Sequence, residues 1–171
     1  MVLQLASLLT DLMASMGYIG LFFLIAGESA LLPIPSEIIL PFAGYLIFSG
    51  NMTFWLAVLV AILGQIFGSA VSYAIGYYGG RPLVLKYGKY FLLSHKHFEH
   101  VELWFKKHGM QAVFFGRLLP VIRTIISFPA GITKVNFKKF LLYSTLGITP
   151  WTIFLVYIGF KLGEKWQSII A

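Results

Sequence analysis

Two arginines, Arg117 and Arg123, flank Pro120 in the apolar segment RLLPVIR. A guanidinium keeps its positive charge at any physiological pH, and its planar fork of N–H donors matches the oxygens of phosphate or carboxylate. An arginine in the middle of an apolar segment costs at least about 2.5 kcal/mol on membrane-insertion scales, so it usually faces the protein interior or an aqueous path. The pair therefore predicts an anion site suited to phosphate.

Two glutamates, Glu28 and Glu37, interrupt an earlier apolar segment in the same way. Such carboxylates can orient the arginines, or take up a proton when a substrate arrives. The alternative is structural: the glutamates neutralise Arg117 and Arg123 as an internal clasp between the two segments. The sequence leaves both interpretations open.

The composition indicates an integral membrane protein. Hydrophobic residues make up 58% of the 171 residues and charged residues 11%, and the mean hydropathy is +0.84. These values lie outside the range of soluble globular domains. A chain of this length predicts a single membrane domain over residues 1–171. Residues 1–16 lack the basic start and the cleavage site of a signal peptide, so we expect none.

The positive charge is concentrated in two parts of the chain. The net charge is +7, but no lysine or arginine precedes Arg81. Positive charge next to apolar spans usually marks the cytoplasmic side of a membrane. Because these residues form no separate domain, we expect no nucleic acid partner. The first cluster contains Arg81, Lys86, Lys89, Lys96, Lys106 and Lys107, and the second contains Lys134, Lys138 and Lys139.

Two uncharged runs predict membrane-spanning helices. Residues 54–80 would extend about 40 Å as an α-helix, enough to cross an apolar layer of about 30 Å. Residues 140–160 are also long enough, with Pro150 as a predicted kink. These two helices are the clearest elements in the sequence.

Two other apolar segments, residues 17–50 and 109–133, contain both prolines and charges. A proline inside a helix removes a hydrogen bond, and broken backbone at membrane depth survives only inside protein or beside water. Each segment is therefore predicted to be a re-entrant hairpin of two short arms. Their tips are expected at residues 33–37 and 119–123.

The chain reads as two similar halves. PIPSEIILPFAG and LPVIRTIISFPAG share their order of proline, charge, aliphatic run and glycine, and the glycine spacings of 12 and 4 recur in both spanning helices. Amphipathic residues 3–16 and 97–108 precede the hairpins as predicted interfacial helices. The fold class is thus an all-α membrane protein, an inverted repeat with repeat one at about 1–80, a basic cytoplasmic loop at about 81–96 and repeat two at about 97–163. Chance similarity in a glycine-rich apolar chain is the alternative.

Several motifs resemble the DedA family of bacterial and archaeal membrane proteins, which are related to the VTT-domain lipid scramblases. They are GESALLPIPSE, GQIFGSAVSYAIGYYGGR and GRLLPVIRTIISFPAG, followed by Phe137, Phe140, Gly147 and Trp151. The resemblance covers residues 17–166 and implies two opposed re-entrant hairpins. It also implies that the protein moves a phosphate-bearing lipid, such as undecaprenyl phosphate or a phospholipid, between leaflets. The protein would be a multi-pass protein of a prokaryotic plasma membrane.

The resemblance places the family's sensitive positions on Glu28 or Glu37 and on Arg117 and Arg123, which we take as the substrate-binding residues. Family members often carry an aspartate in the stretch that here runs from Gln65 to Ser69, so proton coupling through that acid is not expected. The chain also ends at Ala171, where many members continue into another helix, so it is either a short form or truncated. The secondary candidates for substrate contact are Ser36, Gln65, Ser69, Tyr73 and Pro120.

Two other functions stay open. A proton-coupled exporter of small cations would use Glu28 and Glu37, and a non-transporting assembly factor would use none of the buried charges. Neither a catalytic constellation nor a cofactor motif is recognisable, so we expect no enzyme activity and no cofactor. The segment HKHFEH at 95–100 fits an interfacial helix better than a metal site. Membrane lipids are the expected partners. The sequence leaves open whether protons also take part and whether the chain forms a homo-oligomer.

Overall fold

The computed structural model describes residues 2–30, 36–87, 103, 105, 107–119 and 122–170, and no strand occurs among them. The all-α prediction is therefore confirmed for this part of the chain. The helices are α1 (Val2–Ser29), α2 (Ser36–Phe48), α3 (Phe54–Tyr87), α4 (Met110–Leu118), α5 (Ile122–Ile125), α6 (Ser127–Ile132) and α7 (Phe137–Ile170).

Both proline-containing segments begin at a glycine with the same unusual backbone. Gly17 kinks α1 with φ 56° and ψ −129°, and Gly109 precedes α4 with φ 55° and ψ −132°. Such positive φ angles favour glycine, which has no Cβ. Met13 and Phe105, each four residues before its glycine, are buried. The predicted helix over residues 3–16 thus ends where the kink begins, whereas most of residues 97–108 lie outside the described residues.

Each of the two segments contains more than one helix. Helix α1 ends at Ser29 and α2 begins at Ser36, and α4 ends at Leu118 and α5 begins at Ile122. Residues 31–35, 120 and 121, which belong to the two predicted tips, lie outside the described residues. Leu119 already has the extended angles φ −96° and ψ 123°. This is expected because the residue before a proline is biased away from the helical region.

Each second arm ends in the same type of turn. At the end of α2, the N–H of Gly50 donates to the carbonyl of Ile47 and the N–H of Asn51 to that of Leu46. After α6, the N–H of Lys134 donates to Gly131 and that of Val135 to Ala130. This pair of bonds is the Schellman motif, whose turn residue is left-handed and usually glycine.

Two helices among the described residues are long and apolar enough to cross a membrane, at Phe54–Gly79 and Phe137–Gly163. Both predicted runs are therefore helical and, by length and composition, candidate membrane spans. Helix α3 nevertheless continues to Tyr87, so residues 81–87, assigned from the sequence to the basic loop, are helical. Helix α7 retains Pro150 in its interior, as predicted.

The chain divides into two compact units. The first unit comprises Met1–Glu28, Leu32–Gln65 and Thr149–Ala171. Within it Gly64 lies against the backbone of Phe22, and Gly159 lies against that of Pro41. These close backbone approaches place both arms of the first hairpin segment on the long helices. The core comprises Met13, Leu21, Ile25, Ile39, Leu40, Ala43, Leu46, Met52, Ala57, Val58, Ala61, Leu155 and Val156.

The second unit comprises Ser29–Leu31 and Ile66–Ile148. A similar use of glycine recurs within it: Gly147 lies against the side chain of Arg117, and Gly76 lies against the backbone of Phe128. The arginine-containing arm is therefore in close contact with α7, and α6 with α3. The core comprises Tyr73, Phe105, Ala112, Val113, Ile126, Ala130 and Phe140.

Candidate functional site

Arg117 lies in the last turn of α4 and is 2% exposed, deep in the second unit. Its position depends on a missing side chain in α7, because a Cβ at Gly147 would come within 2.6 Å of the Arg117 Cβ. Glycine at this helix crossing thus lets the arginine stem pass.

The guanidinium of Arg117 donates to four neutral oxygens. Its Nη1 donates to the main-chain carbonyl of Arg123 at 2.5 Å, and its Nη2 donates to Ser127 Oγ at 2.7 Å and Ser69 Oγ at 2.8 Å. A longer contact of 3.3 Å joins Nη2 to Ser144 Oγ. We call Ser69, Ser127 and Ser144 the serine cage; they come from α3, α6 and α7.

An aromatic ring also lies close to the Arg117 guanidinium. The Cζ atom of Arg117 lies 5.9 Å from the ring centroid of Phe140, which is itself fully buried. A cation at this distance from a ring is attracted to the π electrons, and more strongly where water is excluded. Hydrogen-bond dipoles and a π face therefore both contribute to holding Arg117.

Arg123 is 3% exposed and belongs to the one-turn helix α5. Its N–H donates to the carbonyl of Leu119 at 3.0 Å, and its own carbonyl accepts from Arg117. Arg117 consequently fixes the backbone from which the Arg123 side chain extends. The two arginines predicted from the sequence are brought together in one unit.

The two predicted carboxylates belong to the first unit and differ in exposure. Glu28 is 3% exposed, and its Oε1 accepts a hydrogen bond from Ser36 Oγ at 2.6 Å. Because Ser36 is the first residue of α2, this bond connects the two arms of the hairpin segment across its undescribed tip. Glu37, in the first turn of α2, is exposed.

The remaining secondary candidates take different positions. Gln65 donates to Thr152 Oγ1 at 2.7 Å, which ties α3 to α7 within the first unit. Ser69 belongs to the serine cage. The Tyr73 hydroxyl donates to the carbonyl of Val135 at 2.5 Å, and Pro120 lies outside the described residues. Of the secondary candidates, Ser36 and Ser69 therefore each contact a predicted charged residue, Glu28 and Arg117 respectively.

Sequence reasoning missed Ser144 as a partner of Arg117. The signal was present in the spacing, since Phe140, Ser144 and Gly147 are spaced by four and three residues in α7 and so share one helix face. All three contact Arg117. That face of α7 is the surface on which the arginine rests.

The described residues contain no group of three or more histidine, aspartate and glutamate side chains that could hold a metal ion. The histidine-containing segment at 95–100 lies outside the described residues.

Comparison with known proteins agrees with the resemblance in the motifs. The model of the VTT domain matches residues 34–161. Undecaprenyl phosphate transporter A of Bacillus subtilis (strain 168) is 40% identical over 157 residues, which cover 92% of this chain and 77% of the relative. The transporter of the same name in Staphylococcus aureus (strain NCTC 8325 / PS 47) is 30% identical over 96% of this chain and 83% of the relative.

A further relative, the uncharacterized membrane protein YkoX of Bacillus subtilis (strain 168), is 42% identical over 91% of this chain and 68% of its own length. No solved structure matches the chain significantly. The VTT model spans well over half of the 171 residues, and the relatives align along nearly all of them. The chain belongs to the VTT-domain family, the DedA membrane proteins.

Proposed function

We propose that this protein moves a phosphate-bearing lipid between the leaflets of a prokaryotic plasma membrane, with Arg117 and Arg123 as its phosphate site. The main support is the environment of Arg117. Four oxygens orient its buried guanidinium and hold it next to the backbone of Arg123. The positive potential of Arg117 therefore adds to that of Arg123, whose backbone it fixes.

The two arginines have different roles in this proposal. Arg117 already donates to four acceptors, so it contributes mainly charge and position. Arg123 supplies the planar fork that a phosphate can engage at two oxygens. The lipid tail stays in the bilayer, so that only the headgroup loses its hydration. Pairing with the two arginines then lowers the free-energy cost of taking the phosphate into the apolar layer, compared with a bare phosphate.

Glu28 and Glu37 have a separate role in this proposal. Glu28 is buried and hydrogen-bonded to Ser36, so it is placed to exchange a proton when the site changes its occupancy. Glu37 is the exposed carboxylate of the same segment. We assign to this pair the coupling of lipid movement to the proton gradient, since no aspartate occurs between Gln65 and Ser69.

We further propose the multi-pass, inverted-repeat topology with two re-entrant hairpins that the motifs predict. Its support is local: Gly17 and Gly109 share one backbone conformation, and the Schellman turns at Gly50 and Lys134 close the second arms. Inverted repeats of this kind are the basis of alternating access in many secondary transporters. The arrangement needs no enzyme chemistry.

The names of two relatives favour a polyprenyl phosphate as the lipid, because both are called undecaprenyl phosphate transporters. The test is leaflet exchange in liposomes containing the purified protein. Three fluorescent lipids are compared, namely a polyprenyl phosphate, the matching polyprenol and a phosphatidylethanolamine, each with and without a pH gradient. We expect movement of the polyprenyl phosphate and none of the polyprenol. Equal movement of the polyprenol would overturn phosphate recognition.

One observation favours a second function, the export of small cations. Glu28 is a buried carboxyl in an otherwise apolar arm, and such residues often line ion or proton paths. An exporter would lose cation flux on Glu28→Gln while Arg123→Lys leaves it unchanged. The lipid translocase loses lipid exchange on Arg123→Lys even without a pH gradient, a condition in which the loss of coupling in Glu28→Gln should matter least. The two variants in both assays therefore separate the functions.

A further inference from the structure

A groove of about 500 Å³ opens in the second unit where α3 passes the start of α7. Aromatic rings form much of its lining. The rings of Tyr73 and Tyr77 stack with centroids 6.0 Å apart, and Phe137 lies 5.1 Å from Tyr73. The lining residues are Ala70, Tyr73, Ala74, Tyr77, Tyr78, Lys134, Val135, Asn136 and Phe137.

Among the described residues that line the groove, Lys134 is the cationic one. Its Nζ lies 5.4 Å from the ring centroid of Tyr77, and the residue is exposed. The neighbouring Lys138 and Lys139 are exposed as well and add to the local positive potential. A groove with an apolar aromatic wall and a cation at its rim fits an amphiphile with a negatively charged headgroup. A free anion would make no use of the aromatic wall.

The backbone of Lys134 gives an independent reason to assign it a function. Its φ of 52° lies in the left-handed region, where a residue with a Cβ is strained. The equivalent turn after α2 uses Gly50, the residue type that this position favours. Strained positions occupied by unsuited residues concentrate at functional sites. Lysine at this position therefore indicates a role for its side chain.

One aromatic layer separates this groove from Arg117. The ring of Tyr73 lies 5.0 Å from that of Phe140, and the guanidinium of Arg117 lies over the same Phe140 ring. Along α3, Ala70 lines the groove and the adjacent Ser69 accepts from Arg117. The wall of the groove and the serine cage thus share α3 and Phe140.

We propose that this groove is a second lipid site, in which Lys134 binds the phosphate of an anionic lipid while the first part of its chain lies along Tyr73, Tyr77 and Phe137. The assignment rests on the proposed function only in regarding that lipid as cargo on its way to Arg123. Binding in the groove requires neither Arg123 nor transport. The lipid is defined by a phosphate monoester on a long apolar chain.

The test measures binding rather than transport, with the full chain in nanodiscs of zwitterionic lipid. A trace amount of fluorescent polyprenyl phosphate is titrated against wild type, Lys134→Met and Lys134→Arg. Lys138→Met is the matched control, because it removes the same charge from an exposed lysine four residues away. We expect Lys134→Met to weaken binding about tenfold, while Lys134→Arg and Lys138→Met stay within about threefold of wild type.

Three results would overturn the assignment. Unchanged binding by Lys134→Met would remove Lys134 from the site, and an equal loss in Lys138→Met would reduce the effect to diffuse surface charge. Displacement of the lipid by millimolar inorganic phosphate would indicate a site for free phosphate. The arginine site is judged separately: Arg123→Lys should retain binding in the groove even when it no longer moves lipid.

Discussion

At the scale of the residue, the buried cation Arg117 is the most demanding feature of the structure. Moving a guanidinium out of water costs several kcal/mol, which good hydrogen-bond geometry has to offset. The serine cage and the carbonyl of Arg123 supply that geometry with neutral atoms. Each bond to a charged donor contributes about 1.5 to 3 kcal/mol. The cage therefore orients a buried charge inside an apolar protein.

Removing one cage hydroxyl should destabilise the fold. We expect Ser127→Ala to lower the free energy of unfolding by about 1 to 3 kcal/mol, because a buried charged donor loses an acceptor at 2.7 Å. Thermal unfolding in detergent measures the difference, with Ser15→Ala as the control at an exposed serine. Equal stability of the two variants would mean that the cage does not support Arg117.

At the two left-handed turn residues, Lys134 and Gly50, opposite substitutions should change the free energy of unfolding in opposite directions. Lys134→Gly relieves a strained φ of 52°, so we expect the free energy of unfolding to rise by about 0.5 to 1 kcal/mol. Gly50→Ala introduces a Cβ at φ 80°, where no atom lies within 4 Å, so its cost should be strain alone and about 1 kcal/mol. A loss of stability in Lys134→Gly would show that the lysine side chain stabilises the turn.

The charges of the site were predictable from the sequence, but their partners were not. Arg117 and Arg123 stand out because charge in an apolar run is rare. Ser69, Ser127 and Ser144 come from three different helices, and no local pattern states which serines from distant parts of the chain will meet. The sequence also does not state that Glu28 is buried and Glu37 exposed, because this depends on which distant parts of the chain pack around each of them.

At the scale of the element, the hairpin segments depend on close contacts with the long helices. Gly76 lies against the backbone of Phe128, and Gly159 lies against that of Pro41. A backbone cannot move aside as a side chain can, so these glycines fix how near α3 and α7 come to the second arms. The same device thus holds both arms, once in each unit.

Adding one methyl group at such a crossing should loosen the arm. We expect Gly76→Ala to lower the free energy of unfolding by about 1 to 3 kcal/mol, because its Cβ would overlap the carbonyl of Phe128. Ile75→Ala, at the exposed neighbouring position of α3, is the control. Hydrogen exchange of residues 127–132 reports on the same contact. Unchanged exchange in Gly76→Ala would contradict a tight α3–α6 crossing.

The long helices were predictable because an uncharged run of this length has few other interpretations. The end of α3 was not: the helix continues through Arg81 to Tyr87, since an uncharged run measures the apolar part of a helix and not its length. Pro120 predicted the end of α4, because the residue before a proline is biased away from the helical region, and Leu119 is extended. The division of the second arm into α5 and α6 was not visible in the sequence.

At the scale of the whole molecule, the described surface is rich in apolar side chains, as the composition predicts. Large apolar side chains on the long helices are exposed, which suits contact with lipid tails. Among the described residues, Arg117 has the buried hydroxyls of Ser69, Ser127 and Ser144 around it, and Glu28 has that of Ser36. Prominent exposed side chains on α3 and α7 are Trp55, Leu59, Phe67, Leu142, Leu146 and Phe154.

The most direct measurement of the central claim is the rate of leaflet exchange of fluorescent polyprenyl phosphate in liposomes containing wild type, Arg123→Lys or Arg81→Lys. The two variants carry the same substitution, but Arg81 lies in the basic segment outside the hairpin segments. We expect Arg123→Lys to slow exchange at least about tenfold, because lysine keeps the charge and loses the bidentate fork. Arg81→Lys should exchange lipid at the wild-type rate. Wild-type exchange by folded Arg123→Lys would contradict phosphate recognition by the arginine pair.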